Sequence, residues 1–134
     1  MNPHNHEKLF EQMACPGFYP HPADVVEIRE THISMVFLAG EFVYKIKKAI
    51  NLGFLDFTTL KKRLYFCHQE LTLNRRLAEH VYLDVIPITY IDEAYHFGGD
   101  GPAVEYAVKM RRLSENRDMS YLLETNGIHQ HRIH

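Results

Sequence analysis

Apolar and polar residues near the start of this chain alternate with the two-residue period that is typical of β-strands. The alternation is found in residues 24–29 and 42–47, and between them residues 35–38 are a short apolar run that is typical of a buried strand. Ala39-Gly40-Glu41 separates the last two runs and has the composition of a tight turn. These segments predict three consecutive antiparallel strands.

A helical period replaces the strand period in residues 59–78, and Thr58 or Thr59 is suited to cap the start of that helix. Four residues are expected to share one face of it: Phe66, Glu70, Leu73 and Leu77. An adjoining apolar stripe, in which Cys67 is expected to be a packing residue, is formed by Leu60, Leu64, Cys67 and Leu71. Because burying an unpaired carboxylate is unfavourable, Glu70 is expected to have a partner.

Strand patterns return at residues 85–91, 94–97 and 104–111. Short helices are predicted at residues 6–14 and 119–125. The order predicts an α+β fold, in which one long helix packs on a twisted antiparallel sheet of five to six strands. Short helices are expected at both ends of the chain.

The same pattern suggests a division of the chain into three parts. Residues 1–23 form an N-terminal helix and extended segment, residues 24–113 form the sheet and its helix, and residues 114–134 begin a connection to a further lobe. No internal repeat or low-complexity segment interrupts this order.

The composition narrows the class of protein. The net charge of −2 gives no general basic field for nucleic acid. Cys15 and Cys67 lie in unrelated contexts, so reduced thiols and a cytoplasmic location are expected. No apolar stretch is long enough to cross a membrane, and the N-terminus lacks the apolar core of a signal peptide.

Lys45 lies in a predicted strand, and Glu70 lies 25 residues later in the predicted helix. A strand lysine held by a carboxylate of the following helix is the arrangement by which protein-kinase-like enzymes place a cation on nucleotide phosphates. We therefore expect the Lys45 ammonium group to lie within salt-bridge reach of the Glu70 carboxylate. Spacing alone favours the alternative that the two residues form a surface ion pair, since such pairs between a strand and a helix are common.

Five segments together resemble bacterial aminoglycoside phosphotransferase-like proteins, many of which carry a further P-loop ATP-binding domain at their C-terminus. They are residues 30–34 (ETHIS), 43–48 (VYKIKK), 52–60 (LGFLDFTTL), 73–78 (LNRRLA) and 104–112 (VEYAVKMRR). The resemblance extends over residues 19–127. It implies the small lobe of a protein-kinase-like phosphotransferase, with ATP and magnesium as ligands of the whole enzyme.

The resemblance also implies roles for individual residues. Lys45 would contact the phosphates and Glu70 would hold it, while Val43 would pack on adenine. Met110 would guard the back of the adenine pocket, and the hinge from Arg111 to Leu113 would offer backbone groups to adenine. Ser34 would offer a hydroxyl or backbone N–H to a phosphate, although its loop has no glycine.

The catalytic residues of the second lobe are not found in this sequence. No Asp is followed five residues later by Asn, and Asp56-Phe57 precedes the long helix and lacks the glycine of a D-F-G motif. We therefore expect the nucleotide-binding half of a small-molecule kinase, catalytically incomplete as this chain. The apolar residues of the uncovered cleft side should bind a missing C-terminal lobe or a second copy: Val43, Met110, Leu113, Met119, Leu122 and Leu123.

Two other functions remain open at this point. One is a non-catalytic binding or regulatory module that keeps the small-lobe fold. The other is a nucleic-acid binder, but with a negative net charge the basic residues more often form a solvated face. These are Lys47, Lys48, Lys61, Lys62, Arg63, Arg75 and Arg76. The histidines at 129, 131 and 134 lack cysteine or carboxylate companions, so a metal site is not expected there.

Overall fold

The computed structural model describes residues 6–78 and 80–113. Within them the chain forms, in order, α1 (His6–Met13), β1 (Val26–Glu30), β2 (Ser34–Ala39), β3 (Phe42–Lys47), α2 (Leu60–Ala78), β4 (Tyr82–Ile91), β5 (Ala94–Phe97) and β6 (Ala103–Arg111). A short 3-10 turn, Pro16–Phe18, follows α1. These elements confirm the predicted order, and β4 begins earlier than predicted. The helix predicted at 119–125 and the segment 114–134 lie outside the described residues.

The six strands form one antiparallel sheet in the order β1-β2-β3-β6-β4-β5. The last strand, β6, inserts between β3 and β4, so β3 has a strand on each side. The register of β3 pairs its Lys45 with Val36 of β2 and with Val108 of β6. The predicted α+β class and the antiparallel sheet with one long helix are therefore confirmed.

The sheet has a buried cluster of side chains on each face. On the α2 face, Cys67 and Leu71 pack with residues such as Val36 and Val43. On the α1 face, Leu9 of α1 packs with Tyr44, Ile46 and their neighbours. Strand β3 therefore sends alternate residues into two different cores, because successive side chains of a strand point to opposite faces.

Helix α2 begins where the sequence predicted, since the Thr59 hydroxyl accepts a hydrogen bond of 3.2 Å from the Lys62 amide. Its buried face carries Arg63, Cys67, Glu70 and Leu71, so it combines Glu70 of the predicted face with Cys67 and Leu71 of the adjoining predicted stripe. Leu73 is 51% exposed, so its predicted burial is wrong. Neither helix in the described part of the chain has the length and apolar character needed to cross a membrane.

Candidate functional site

The contact predicted between Lys45 and Glu70 is present in the structure. Lys45 Nζ lies 2.6 Å from Glu70 Oε2, and the two residues are only 3% and 2% exposed. The alternation of β3 directs Lys45 toward α2, and the helical period places Glu70 on the buried side of α2. The pair is therefore a buried contact between a strand and the next helix, and not a surface ion pair.

A second lysine shares the same carboxylate. Lys47 lies two residues after Lys45 on β3, so its side chain is on the same face, and its Nζ lies 2.7 Å from Glu70 Oε1. Lys47 is 1% exposed, and its ammonium group also lies 5.5 Å from the centre of the Phe57 ring. The prediction that Lys47 belongs to a solvated basic face is wrong. The strand period that placed Lys45 would also have placed Lys47.

The opposite charges of this cluster keep one another ionised. Burial alone would raise the pKa of the Glu70 carboxyl, but the ammonium groups of Lys45 and Lys47 outweigh burial and the pKa is lowered. Burial alone would likewise lower the pKa of Lys47, and the Glu70 carboxylate outweighs it so that the pKa is raised. Burial raises the pKa of the nearby Cys67 thiol to about 12. Cys67 is therefore a neutral packing residue, as the sequence predicted.

Ser34 begins β2 directly after the loop that was predicted to lie over the phosphates. It pairs with Lys47 in the β2–β3 register, so its side chain lies on the same sheet face as Lys45 and Lys47. Its backbone N–H donates to the Thr31 hydroxyl at 3.0 Å and is already used within the loop. Its Oγ is buried and is the one buried side-chain nitrogen or oxygen of the described residues that lacks a hydrogen-bond partner. Only the hydroxyl therefore remains as a donor for a ligand.

The residues predicted to contact adenine are covered. Val43 and Met110 pair across β3 and β6, and both are 0% exposed within the cluster on the α2 face. The prediction that they lie on an uncovered apolar edge is wrong, because α2 and its neighbours cover them. Leu113 is half-buried against the same cluster. The side chains of Met119, Leu122 and Leu123 lie outside the described residues.

The predicted hinge begins at the end of β6. The Arg111 side chain is exposed, and its backbone N–H donates to the Val81 carbonyl at 2.7 Å. The next N–H, that of Arg112, donates to the Glu41 carbonyl at 2.8 Å. Neither of these two backbone donors is free to meet a base in this structure.

A second buried ionic cluster was missed from the sequence. Arg63 of α2 is 1% exposed, and its Nε lies 3.1 Å from both carboxylate oxygens of Glu105 in β6. Its terminal nitrogen donates to the Phe57 carbonyl at 2.8 Å, and His6 Nε2 of α1 lies 2.6 Å from Glu105 Oε2. The prediction that Arg63 is a surface charge is wrong. Its position four residues before the buried Cys67 was the available signal.

Four of the five remaining basic residues keep the predicted solvated character, and Lys48 is half-buried and paired with Glu30. Lys61, Lys62, Arg75 and Arg76 are exposed, and Lys62 pairs with Asp56 at 2.6 Å. With Lys47 and Arg63 buried, the proposed nucleic-acid footprint loses two of its seven members. Among the described residues, no group of three His, Cys, Asp or Glu side chains is arranged to hold a metal ion. The C-terminal histidines lie outside those residues.

Comparison with known proteins gives relatives without an assigned activity. The chain is 33% identical over 98 residues to uncharacterized protein Rv2004c of Mycobacterium tuberculosis and to uncharacterized protein Mb2027c of Mycobacterium bovis. The match covers 73% of this chain and 18% of each relative, so the chain spans about a fifth of the length of these curated relatives. No family model matches the chain, and no solved structure matches it.

Proposed function

We propose that this chain is the nucleotide-binding half of an ATP-dependent small-molecule kinase of the aminoglycoside phosphotransferase-like group. As this chain alone it would be catalytically incomplete. The observation that carries the proposal is the buried contact of 2.6 Å between Lys45 of β3 and Glu70 of α2. In protein kinases a carboxylate of the helix holds the strand lysine in position to bind nucleotide phosphates.

The order of the elements supports the same proposal. Three antiparallel strands precede α2, and further antiparallel strands follow it, with β6 returning beside β3. A kinase-like small lobe uses this kind of sheet, with one long helix packed on it, to bring the lysine of the third strand and the carboxylate of the helix together. The fold and the ion pair are independent observations, because many antiparallel sheets lack such a pair.

The chemistry of the described residues fits a nucleotide phosphate better than it fits a metal. An ammonium group and an unpartnered hydroxyl, those of Lys45 and Ser34, lie on one face of the sheet and suit anionic oxygens. The described residues hold no cluster that fits magnesium. In the proposed enzyme, Asp residues of a second lobe would bind magnesium and accept the proton of the substrate hydroxyl.

The burial of this site sets an expectation about affinity. Because Lys45 is 3% exposed and Val43 and Met110 are fully buried, nucleotide binding would have to uncover these groups. A ligand that binds only a rarely populated open state has its apparent affinity reduced by the fraction of that state. We therefore expect ATP to bind weakly to this chain, and we expect no phosphate transfer.

The experiment is a titration of the ¹⁵N-labelled chain with ATP, followed by amide chemical shifts. We expect saturable shifts in β2, β3 and the loop between β1 and β2, and weaker binding in Lys45→Met. Lys62→Met is the matched control, since Lys62 lies in an exposed ion pair on the same helix as Glu70. The proposal fails if ATP causes no saturable shifts, or if Lys45→Met binds as wild type does.

A non-catalytic binding or regulatory module is the second candidate function. The observation in its favour is that the side chains of the proposed nucleotide site are closed over by their own fold. The same titration separates the two functions, because a module that has lost the nucleotide site would give no response to ATP. The predicted self-association also remains a proposal, but Val43 and Met110 are buried and cannot form its contact surface. Light scattering of the purified chain tests it.

A further inference from the structure

Lys47 has no role in the function proposed above, although it is as deeply buried as Lys45. Its Nζ contacts Glu70 Oε1 at 2.7 Å, while Lys45 contacts Glu70 Oε2 at 2.6 Å. Each oxygen of one carboxylate therefore binds a different lysine. If either lysine moved away, the other would still hold the carboxylate.

The cluster of Lys45, Lys47 and Glu70 has one more positive charge than negative charge. Two ammonium groups face one carboxylate, and the side chains of all three residues are at most 4% exposed. Among the residues that the structure describes, the other buried carboxylate is that of Glu105, which is already bound by Arg63 and His6. Buried charge that has no counter-charge is unfavourable, so the cluster is suited to receive an anion.

Ser34 gives independent support for a ligand on this face. Its Oγ is 0% exposed, has no hydrogen-bond partner, and belongs to the residue that pairs with Lys47 across β2 and β3. Buried hydroxyl groups are normally hydrogen-bonded. An unused hydroxyl beside an excess positive charge is what a site for an anionic oxygen would contain.

We infer that Lys47 is a positioning residue that holds the Glu70 carboxylate in place. The Lys45 ammonium group can then donate a hydrogen bond to a nucleotide phosphate. The inference rests on the proposed function and deepens it, because it assigns the excess positive charge to phosphate binding. No covalent bond is made or broken in this step. Lys45 exchanges a contact with Glu70 for one with a phosphate oxygen, and Lys47 keeps the carboxylate from being left unpaired.

The first test needs no nucleotide. The Glu70 side chain, labelled with ¹³C at its carboxyl carbon, is titrated with acid in wild type, in Lys45→Met and in Lys47→Met. We expect the pKa of Glu70 to stay below its ordinary range in Lys45→Met, because Lys47 alone still holds the carboxylate. A return of that pKa to its ordinary range in Lys45→Met would overturn the inference and would leave the proposed function untouched.

The second test compares two ligands, ATP and adenosine, by the same amide shifts. Lys47→Met should weaken ATP binding about tenfold, the loss expected from one weakened charge-assisted hydrogen bond, and should leave adenosine binding unchanged. A purely structural role would weaken both ligands together. Lys62→Met is again the control and should change neither affinity.

Each other outcome of the second test has a defined meaning. ATP binding by Lys47→Met at wild-type strength overturns the inference alone. Failure of wild type to bind ATP overturns the proposed function and the inference with it. Loss of folding in both Lys47→Met and Lys47→Gln would also overturn the inference, because removing one of the two cations should leave a neutral, stable pair of Lys45 and Glu70.

Discussion

Helix α2 carries two buried ionic clusters that differ in their charge balance. Near the start of α2, Arg63 binds Glu105 through Nε and the Phe57 carbonyl through a terminal nitrogen. His6 forms a further hydrogen bond with the Glu105 carboxylate. Seven residues further on, Glu70 is shared by Lys45 and Lys47. The Arg63 cluster pairs one fixed positive charge with one negative charge, whereas the Glu70 cluster holds two positive charges against one.

The difference separates a structural role from a ligand-binding role. Arg63 and Glu105 are matched in charge and hydrogen bonding, and they join α2 to β6 and, through His6, to α1. Such a cluster has no excess fixed charge to offer a ligand. The Glu70 cluster has an excess ammonium group and lies beside an unused hydroxyl. Loss of Arg63 or Glu105 should therefore destabilise the fold, whereas the Glu70 cluster should tolerate the loss of one lysine.

The largest effect is expected from Glu70→Gln, which leaves two buried ammonium groups without a carboxylate. Breaking a buried ion pair by removing one partner costs about 3–5 kcal/mol, and we expect the upper part of that range. Urea denaturation followed by circular dichroism measures the loss in free energy of unfolding. A loss no greater than that of Lys45→Met would contradict the unequal charge balance.

Glu105→Gln should have a smaller effect, about 2–3 kcal/mol, because Arg63 keeps its hydrogen bond to the Phe57 carbonyl. The same urea experiment measures it, with Glu41→Gln as a control at an exposed glutamate in the β2–β3 turn. If Glu105→Gln were as stable as that control, the Arg63 cluster would not be the structural contact described here.

Acid should weaken the contribution of Glu70 in a defined direction. Because the folded-state pKa of Glu70 is lowered, its stabilisation is fully present above the unfolded pKa of about 4.3 and is lost as pH falls through the folded pKa. The difference in free energy of unfolding between wild type and Glu70→Gln should therefore be constant above that value and shrink below it. A difference that grew as the pH fell would contradict a lowered folded-state pKa for Glu70.

The smallest effect is expected from Lys62→Met. Lys62 pairs with Asp56 across an exposed surface, with half of its side chain in solvent. Exposed ion pairs contribute little, since solvent screens them and both side chains lose freedom. The urea midpoint should stay within the error of measurement. A clear fall in the urea midpoint would mean that this exposed ion pair on α2 stabilises the fold as the buried clusters do.

The sequence was sufficient to locate Lys45 because two simple periods meet there. The strand period directs Lys45 to one face of the sheet. The helical period places Glu70 among apolar residues, where a carboxylate needs a partner. The same two periods contained Lys47 and Arg63, but long charged side chains are usually found in solvent and were assigned to it. A basic residue in register with a buried carboxylate is therefore better judged by position than by type.

Other features could not be predicted because they depend on what covers the sheet. Val43 and Met110 alternate as strand residues do, and alternation does not say which faces are covered. Leu73 fitted a helical face drawn through Glu70, whereas the actual face turns toward Cys67 and Leu71. The unpartnered hydroxyl of Ser34 depends on the exact approach of its neighbours, and residue order gives no measure of that.

Helix α1 has a consequence for the order in which the chain acquires its structure. It is eight residues long, too short to be stable alone in water, and its contacts lie far along the chain. Its Gln12 accepts a hydrogen bond of 2.8 Å from the Tyr95 amide, and His6 reaches Glu105. During synthesis α1 leaves the ribosome before β5 and β6, and it should remain unstructured until residue 105 has emerged. Hydrogen exchange on stalled chains of increasing length would show its amides becoming protected only then.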